Sequence, residues 1–171
     1  GTGGTVTGIG RVLRKERPEV RMVLSEPANA ALVQSGIAQE RGPDGAPAAS
    51  HPAFQPHPIQ GWTPDFIPAV LQEALDKGFY DALIPVSGPD SIHWSRELAR
   101  KEGIFTGISG GATFATAIKV AETAAPGLVI LVMLPDTGER YLSTPLFEGI
   151  AEDMDEEERA LSLSTPGYQV G

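Results

Sequence analysis

The sequence contains no cysteine, so disulfides, thiolate nucleophiles and thiolate-held zinc are excluded, and no disulfide pattern reports the redox compartment. No apolar run approaches the ~18 residues that a membrane-spanning helix needs, and no basic stretch followed by an apolar one opens the chain. Basic residues are few: 13 Lys and Arg stand against 22 Asp and Glu, for a net charge of -9. That balance repels nucleic acid and anionic membranes unless a strong local patch intervenes. The one cationic cluster, Arg11, Arg14, Lys15, Arg17 and Arg21, is short and interrupted by Pro18. The three histidines, His51, His57 and His93, are too scattered for a metal site and receive no catalytic role. These absences point to a soluble, cytoplasmic chain whose partners are small molecules. The chain also opens at full motif density on Gly1 to Thr5, with no initiating methionine and no strand before the motif, which suggests a fragment.

What is present is ordinary for a globular protein of one-domain size: 171 residues, 41% hydrophobic, with 20 glycines and 15 prolines that point to many turns. Three short, β-branched, apolar segments bounded by turn residues read as buried strands, at 20–24, 82–86 and 128–134, with 104–108 a possible fourth. Amphipathic stretches at 6–15, 28–34, 66–77, 90–102 and 112–124 read as helices. The alternation predicts an α/β fold, mainly a parallel sheet with helices on both faces, whose ligands collect beyond the carboxyl ends of the strands. The proline-rich stretch 38–58 reads as a long surface loop, either a tolerated insertion or a functional element. The stretch Glu152 to Glu158, six acids in seven positions, reads as solvated surface or an exposed helix start; it lacks the glycine of a calcium loop. Met22, Met133 and Phe114 look like core filling, and Trp94 like a packing residue.

Four motifs could carry chemistry. Gly1-Thr2-Gly3-Gly4-Thr5 leads directly into a helix pattern, an arrangement suited to anion binding: glycines curl the backbone around a phosphate, and the helix start aims free N–H groups at it. A plain connection and a dinucleotide loop are the competing readings. The latter requires Gly1, Gly3 and a mismatching Val6, and no P-loop lysine follows. A monophosphate cradle fits best. The second motif, Leu134 to Thr144 (LPDTGERYLST), follows the most apolar strand candidate. The third, Gly107 to Ala112 (GISGGA), opens a helix with small residues that let a ligand or another backbone come close. The fourth, His57 to Pro68 (HPIQGWTPDFIP), leads out of the long loop.

Taken in order, GTGGT, SEPANA (Ser25 to Ala30), HPIQG, DFIP, GISGGA and LPDTGERYLST resemble the C-terminal half of cysteine synthase, also called O-acetylserine sulfhydrylase, up to Phe147. The resemblance implies a fold of the tryptophan synthase β-subunit type, here its larger domain, a homodimer when complete, and pyridoxal 5'-phosphate as cofactor. It implies a division into a cofactor-phosphate-binding α/β domain at 1–147 and an acidic helix or tail at 148–171. Carried over residue by residue, Gly1, Thr2, Gly3, Gly4 and Thr5 match the loop around the cofactor phosphate. Thr137 matches the hydroxyl that meets the pyridine nitrogen. A neutral hydroxyl there makes a weaker electron sink than a carboxylate would, which suits β-elimination over transamination. Asp136 reads as a structural or capping carboxylate, with an interaction with the ring as the alternative. Gln60, Gly61 and Trp62 match the element bordering the substrate pocket. Trp62, Thr63 and Pro64 depart from the small residues common there, which leaves substrate identity open, and Trp62 reads equally as a core aromatic.

The implied activity is β-replacement: an activated serine ester, O-acetylserine, loses acetate and takes up sulfide to give cysteine. That chemistry uses a lysine that carries the cofactor as a Schiff base. The four lysines here, Lys15, Lys77, Lys101 and Lys119, all lie in helix patterns without that context. The catalytic lysine is therefore expected in a segment this chain lacks, and the chain alone is expected to be inactive and prone to associate through its exposed apolar surface. A cystathionine β-synthase-like enzyme or a serine or threonine β-eliminase is the neighbouring reading. A non-catalytic phosphate-ligand-binding or regulatory module, and a nucleotide-binding domain, are readings of another class.

Overall fold

The computed structural model describes residues 1–164. Its elements are helix α1 (Gly4–Glu16), strand β1 (Val23–Pro27), helix α2 (Ala69–Asp76), strand β2 (Ala82–Val86), helices α3 (Gly88–Glu102) and α4 (Ile108–Ala121), two 3-10 turns (Gly138–Tyr141 and Pro145–Phe147) and helix α5 (Glu156–Leu163). β1 and β2 pair in parallel with Val23 opposite Ala82. The expected α/β architecture with a parallel sheet is present, although only two strands are described. No described helix is long and apolar enough to cross a membrane.

Local chemistry sets the element ends. α3 starts where the Ser87 side chain accepts the Asp90 N–H at 3.1 Å with Pro89 in its first turn, and it stops at Gly103, φ +68°. α5 carries a capping box, Asp155 accepting from the Glu158 N–H at 2.8 Å and Glu158 answering at 2.9 Å. This is the helix start expected in the acidic stretch, and its surface is exposed.

Several sequence expectations shift. β1 begins at Val23 rather than at residue 20, because the Met22 backbone is held by Asp81: the Met22 N–H donates to its carboxylate at 2.6 Å and the Met22 carbonyl accepts its N–H at 2.7 Å. The expected helix at 28–34 is a series of turns, since the Val33 and Gln34 N–H groups donate to the buried Glu26 carboxylate at 2.9 and 2.8 Å. The candidate strand 104–108 contributes only an isolated bridge between Thr106 and Thr137. The run 128–134, expected as a buried strand, forms no strand and is largely exposed. Met133 within it is 50% exposed and so is not core filling.

The main core cluster includes Ile59, Val86, Ile108, Ala112 and Tyr141, and Trp62, Trp94 and Phe147 pack against it. Burying each large aliphatic there contributes roughly 1.5–3 kcal/mol. Trp94 meets Phe114 edge to face at 5.6 Å. A second cluster, Ala30, Leu32 and Ile67, lies beneath the long loop. That loop is anchored by buried polar groups: Gln39 accepts the Ile67 N–H at 2.9 Å and donates to Glu40 and Ala49, while the His51 ring lies 2.9 Å from the Ile37 carbonyl. His51 is therefore structural.

Candidate functional site

The glycine loop ends in Gly3, whose left-handed backbone (φ +87°) turns the chain into α1. No side chain caps the helix and no acid lies in its first turn. The first N–H groups of α1 are therefore open to an external anion. Only the Gly4 N–H has a side-chain contact, a long 3.4 Å approach to the Thr2 hydroxyl. Thr2, Gly4 and Thr5 are exposed, whereas the inner side of the loop is tightly packed. A Cβ on Gly3 would come within 2.6 Å of Leu71, and one on Gly1 within 2.6 Å of the Gly61 carbonyl. Behind the loop lies a small cavity of about 60 Å³ lined by Ser25, Glu26, Leu32 and Leu71. Its one carboxylate, Glu26, makes it unsuitable for an anion. Burial raises the Glu26 pKa, opposed by its two backbone N–H bonds.

Gln60 and Gly61 are exposed and Trp62 is partly buried. Gly61 has φ +79°, which lets its carbonyl face Gly1. The loop carrying them is closed by the His57 Nε2, 2.9 Å from the Thr63 carbonyl. Sequence reasoning placed no role on His57, and the structure makes it a strap. Trp62 packs against the main core, in keeping with its aromatic-core reading.

Thr137 stands in a separate polar cluster that sequence reasoning resolved only in part. The Asp136 carboxylate accepts the Tyr141 hydroxyl at 2.5 Å and the Ser109 hydroxyl at 3.4 Å, and its carbonyl accepts the Thr106 hydroxyl at 3.1 Å. The Gly138 N–H reaches the Phe105 carbonyl at 3.3 Å. Thr137 is thus clamped from both sides while remaining exposed, and its hydroxyl beside Glu139 holds that carboxyl below its ordinary range. Asp136 is structural, though not a helix cap. Among the described residues no hydrogen bond joins this cluster to the glycine loop.

Tyr141 is only 3% exposed, and burial, reinforced by Asp136, pushes its phenol from 10.0 up to about 12. A phenol whose pKa is raised by folding holds its proton more tightly in the native state. Its stabilising contribution is therefore whole below pH 10 and is lost as the pH rises through about 12. Tyr141→Phe is expected to remove the late step from the absorbance titration at 295 nm and to flatten the loss of stability across that window. An unchanged titration would place the raised phenol elsewhere.

The family model for pyridoxal-phosphate dependent enzymes matches residues 1–136. The chain belongs to that family. Its relatives include O-ureido-L-serine synthase of Streptomyces lavendulae, 47% identical over 156 residues, covering 91% of this chain and 42% of that protein. Cysteine synthase of Staphylococcus aureus strain N315 is 40% identical over 147 residues, covering 86% of this chain and 41% of that protein. Crystal structures agree. O-ureido-L-serine synthase superposes with a TM-score of 0.76 over 94% of this chain and 44% of its own, at 47% identity. O-acetylserine sulfhydrylase isoform 3 of Entamoeba histolytica superposes with a TM-score of 0.71 over 95% of this chain and 42% of its own, at 32% identity. The chain thus spans less than half the length of these relatives. The family uses pyridoxal phosphate, and the uncapped, glycine-lined start of α1 has the chemistry to receive that cofactor's phosphate.

Proposed function

We propose that this chain is the cofactor-phosphate-binding part of a β-replacement enzyme of the cysteine synthase type, joining O-acetylserine and sulfide to give cysteine and acetate. The observation that carries it is the open N-terminus of α1 behind the left-handed Gly3, in a chain 40% identical to a cysteine synthase. In this reading residues 1–147 form the cofactor-binding unit and 148–171 an acidic tail, of which 165–171 lie outside the described residues. The complete enzyme is a cytoplasmic homodimer.

Pyridoxal phosphate supplies an electron sink for the amino acid's α-carbon. The chain's own part is binding and orientation. The N–H groups of Gly3, Gly4 and Thr5 and the hydroxyls of Thr2 and Thr5 hold the phosphate. Thr137, steadied by Asp136, Tyr141 and Thr106, offers a neutral hydroxyl to the ring nitrogen, and Gln60, Gly61 and Trp62 border the substrate. In this reading the chain by itself does not turn over, because its four lysines stand at the carboxyl-terminal ends of α1, α2, α3 and α4, away from the glycine loop that opens α1. Lys15, Lys77 and Lys101 pair with Glu16, Glu73 and Glu97 at 2.9, 2.8 and 2.8 Å, and Lys119 reaches the Pro85 carbonyl at 3.3 Å.

A second reading concerns the nucleophile. The 47% identity to an O-ureido-L-serine synthase favours a ureido-bearing oxygen nucleophile over sulfide. A fusion of the upstream part of the S. lavendulae enzyme to this chain distinguishes the two. Cysteine formed from O-acetylserine and sulfide supports the first reading, O-ureidoserine formed only with N-hydroxyurea supports the second, and product from neither overturns both.

A further inference from the structure

Gln60 and Gly61 sit at the tip of a tight turn. The Trp62 N–H donates to the Ile59 carbonyl at 3.2 Å, and Gly61, the third residue of the turn, has φ +79°. Ile59 is fully buried and Trp62 packs against the same core cluster, so Gln60 and Gly61 project from a turn anchored at both ends. The turn lies against the glycine loop, where a Cβ on Gly1 would meet the Gly61 carbonyl at 2.6 Å. From Thr63 to Ile67 the chain then runs toward α2 without helix or strand.

An irregular main chain still needs partners for its polar groups. Among the described residues, every hydrogen bond made to the main chain of 63–67 comes from residues 39–57 of the long loop. The Thr63 carbonyl accepts from His57 Nε2 at 2.9 Å, the Asp65 carbonyl from the His51 N–H at 2.6 Å, and the Ile67 carbonyl from the Arg41 guanidinium at 2.7 Å. The Ile67 N–H donates to the Gln39 side chain at 2.9 Å. Gln39 is buried, and its amide nitrogen ties both limbs of the loop together at the Glu40 and Ala49 carbonyls. A loop that only crosses the surface keeps its polar side chains in water, whereas this one turns them into the main chain of its neighbour. His57 has the most direct grip. A carbonyl only accepts, so the ring carries its proton on Nε2, and the bond from residue 57 to residue 63 spans the base of turn 59–62. Its Nδ1 is buried and has no hydrogen-bond partner among the described residues, which costs stability. Phenylalanine would avoid that cost and keep the edge contact with Phe54, so what the imidazole adds is the Nε2 bond.

We propose that loop 38–58 is a brace that sets the shape of the substrate pocket, and that His57 and Gln39 are positioning residues for the amino-acid substrate. The proposal rests on the reading that Gln60, Gly61 and Trp62 border that substrate. Both residues act through the main chain of 63–67 rather than on the reacting atoms, and a shift of about 1 Å in a positioning element is enough to cost binding and rate. The glycine loop has its own support in the packing of Gly3 on Leu71. Loosening the brace therefore changes the pocket for the amino acid and spares the hold on phosphate.

The test begins with the 171-residue chain, in which hydrogen exchange across residues 59–67 is followed by mass spectrometry. His57→Phe and Gln39→Met are each expected to speed that exchange about tenfold, the effect of losing a hydrogen bond to the main chain there. His57→Gln, which returns an amide donor to the place of Nε2, is expected to restore the parent rate to within about twofold. Asp44→Ala is the control: it removes only the bond from the Ala46 N–H at the tip of the loop, 3.0 Å long, and is expected to leave 59–67 unchanged. In the fusion to the upstream part of the S. lavendulae enzyme, His57→Phe is expected to raise KM for O-acetylserine about tenfold while kcat and the affinity for pyridoxal 5'-phosphate stay within about twofold, and His57→Gln to bring KM back. A role in stability alone would lower the active fraction, and with it kcat, but not move KM. Unchanged exchange in both His57→Phe and Gln39→Met overturns the brace. So does faster exchange with an unchanged KM, or an Asp44→Ala variant that behaves as His57→Phe does. A fusion that forms no product overturns the proposed function instead, while exchange in the chain alone still decides whether loop 38–58 braces the turn.

Discussion

Gly3→Ala is expected to weaken binding of pyridoxal 5'-phosphate by about tenfold or more, while Gly4→Ala one residue later leaves the backbone undisturbed. Gly3 sits at φ +87°, where a residue with a Cβ is strained by roughly 1–3 kcal/mol. The new methyl would also stand 2.6 Å from the Leu71 Cα and 2.9 Å from its backbone nitrogen. α2 cannot yield cheaply, since the Thr7 hydroxyl donates to the Val70 carbonyl at 2.8 Å and Arg11 pairs with Glu73. The loop relaxes instead. Rotating Gly3 to negative φ swings Thr2 away and turns the Gly4 and Thr5 N–H groups off their common focus. Gly4, by contrast, is already helical, and a Cβ there meets only the Thr2 hydroxyl at an ordinary 3.6 Å. Isothermal titration with pyridoxal 5'-phosphate and with inorganic phosphate reads both variants. If Gly3→Ala binds both probes as the parent does, the start of α1 is not the phosphate cradle.

How much of this was legible depended on whether the deciding partner was local. α1 and α3 were readable to within two residues at each end, because the glycine loop, Ser87, Pro89 and Gly103 are punctuation within the elements themselves. β1 was misplaced by three residues because its start is set by Asp81, far along the chain. The turns at 28–34 carry a helical pattern, yet Glu26 takes the N–H groups of Val33 and Gln34, and the Asn29 side chain reaches the Pro56 carbonyl at 2.8 Å. The run 128–134 has strand composition without a strand partner, and composition alone does not make a ladder. The same limit applied to the site. GTGGT and LPDTGERYLST were conspicuous as motifs, but the clamp on Thr137 draws on Thr106 and Ser109, which no spacing rule connects to Asp136.

Gly111→Ala is expected to lower the stability of the chain by about 2 kcal/mol, even though alanine is the better helix former by about 1 kcal/mol. α3 and α4 form the most extensive helix pairing, and Gly111 lies where their backbones nearly touch. A Cβ there would fall 2.0 Å from the Ser91 carbonyl oxygen and 2.6 Å from the Ser95 nitrogen. Both are main-chain atoms of a helix, so no rotamer change relieves the clash and α3 must move away bodily, at an overpacking cost of about 3 kcal/mol. Any share of that separation taken up by α4 also displaces Ser109, which touches Asp136, and loosens the cluster that steadies Thr137. Gly8→Ala on α1 is the matched control. It has nothing within 4 Å and is expected to raise stability by about 0.5–1 kcal/mol. Urea midpoints of the two variants should therefore move in opposite directions. The small residues of GISGGA suited either a ligand or another backbone. A midpoint for Gly111→Ala at or above that of the parent would assign them to the ligand, and a fall of the expected size assigns Gly111 to the packing of α4 on α3.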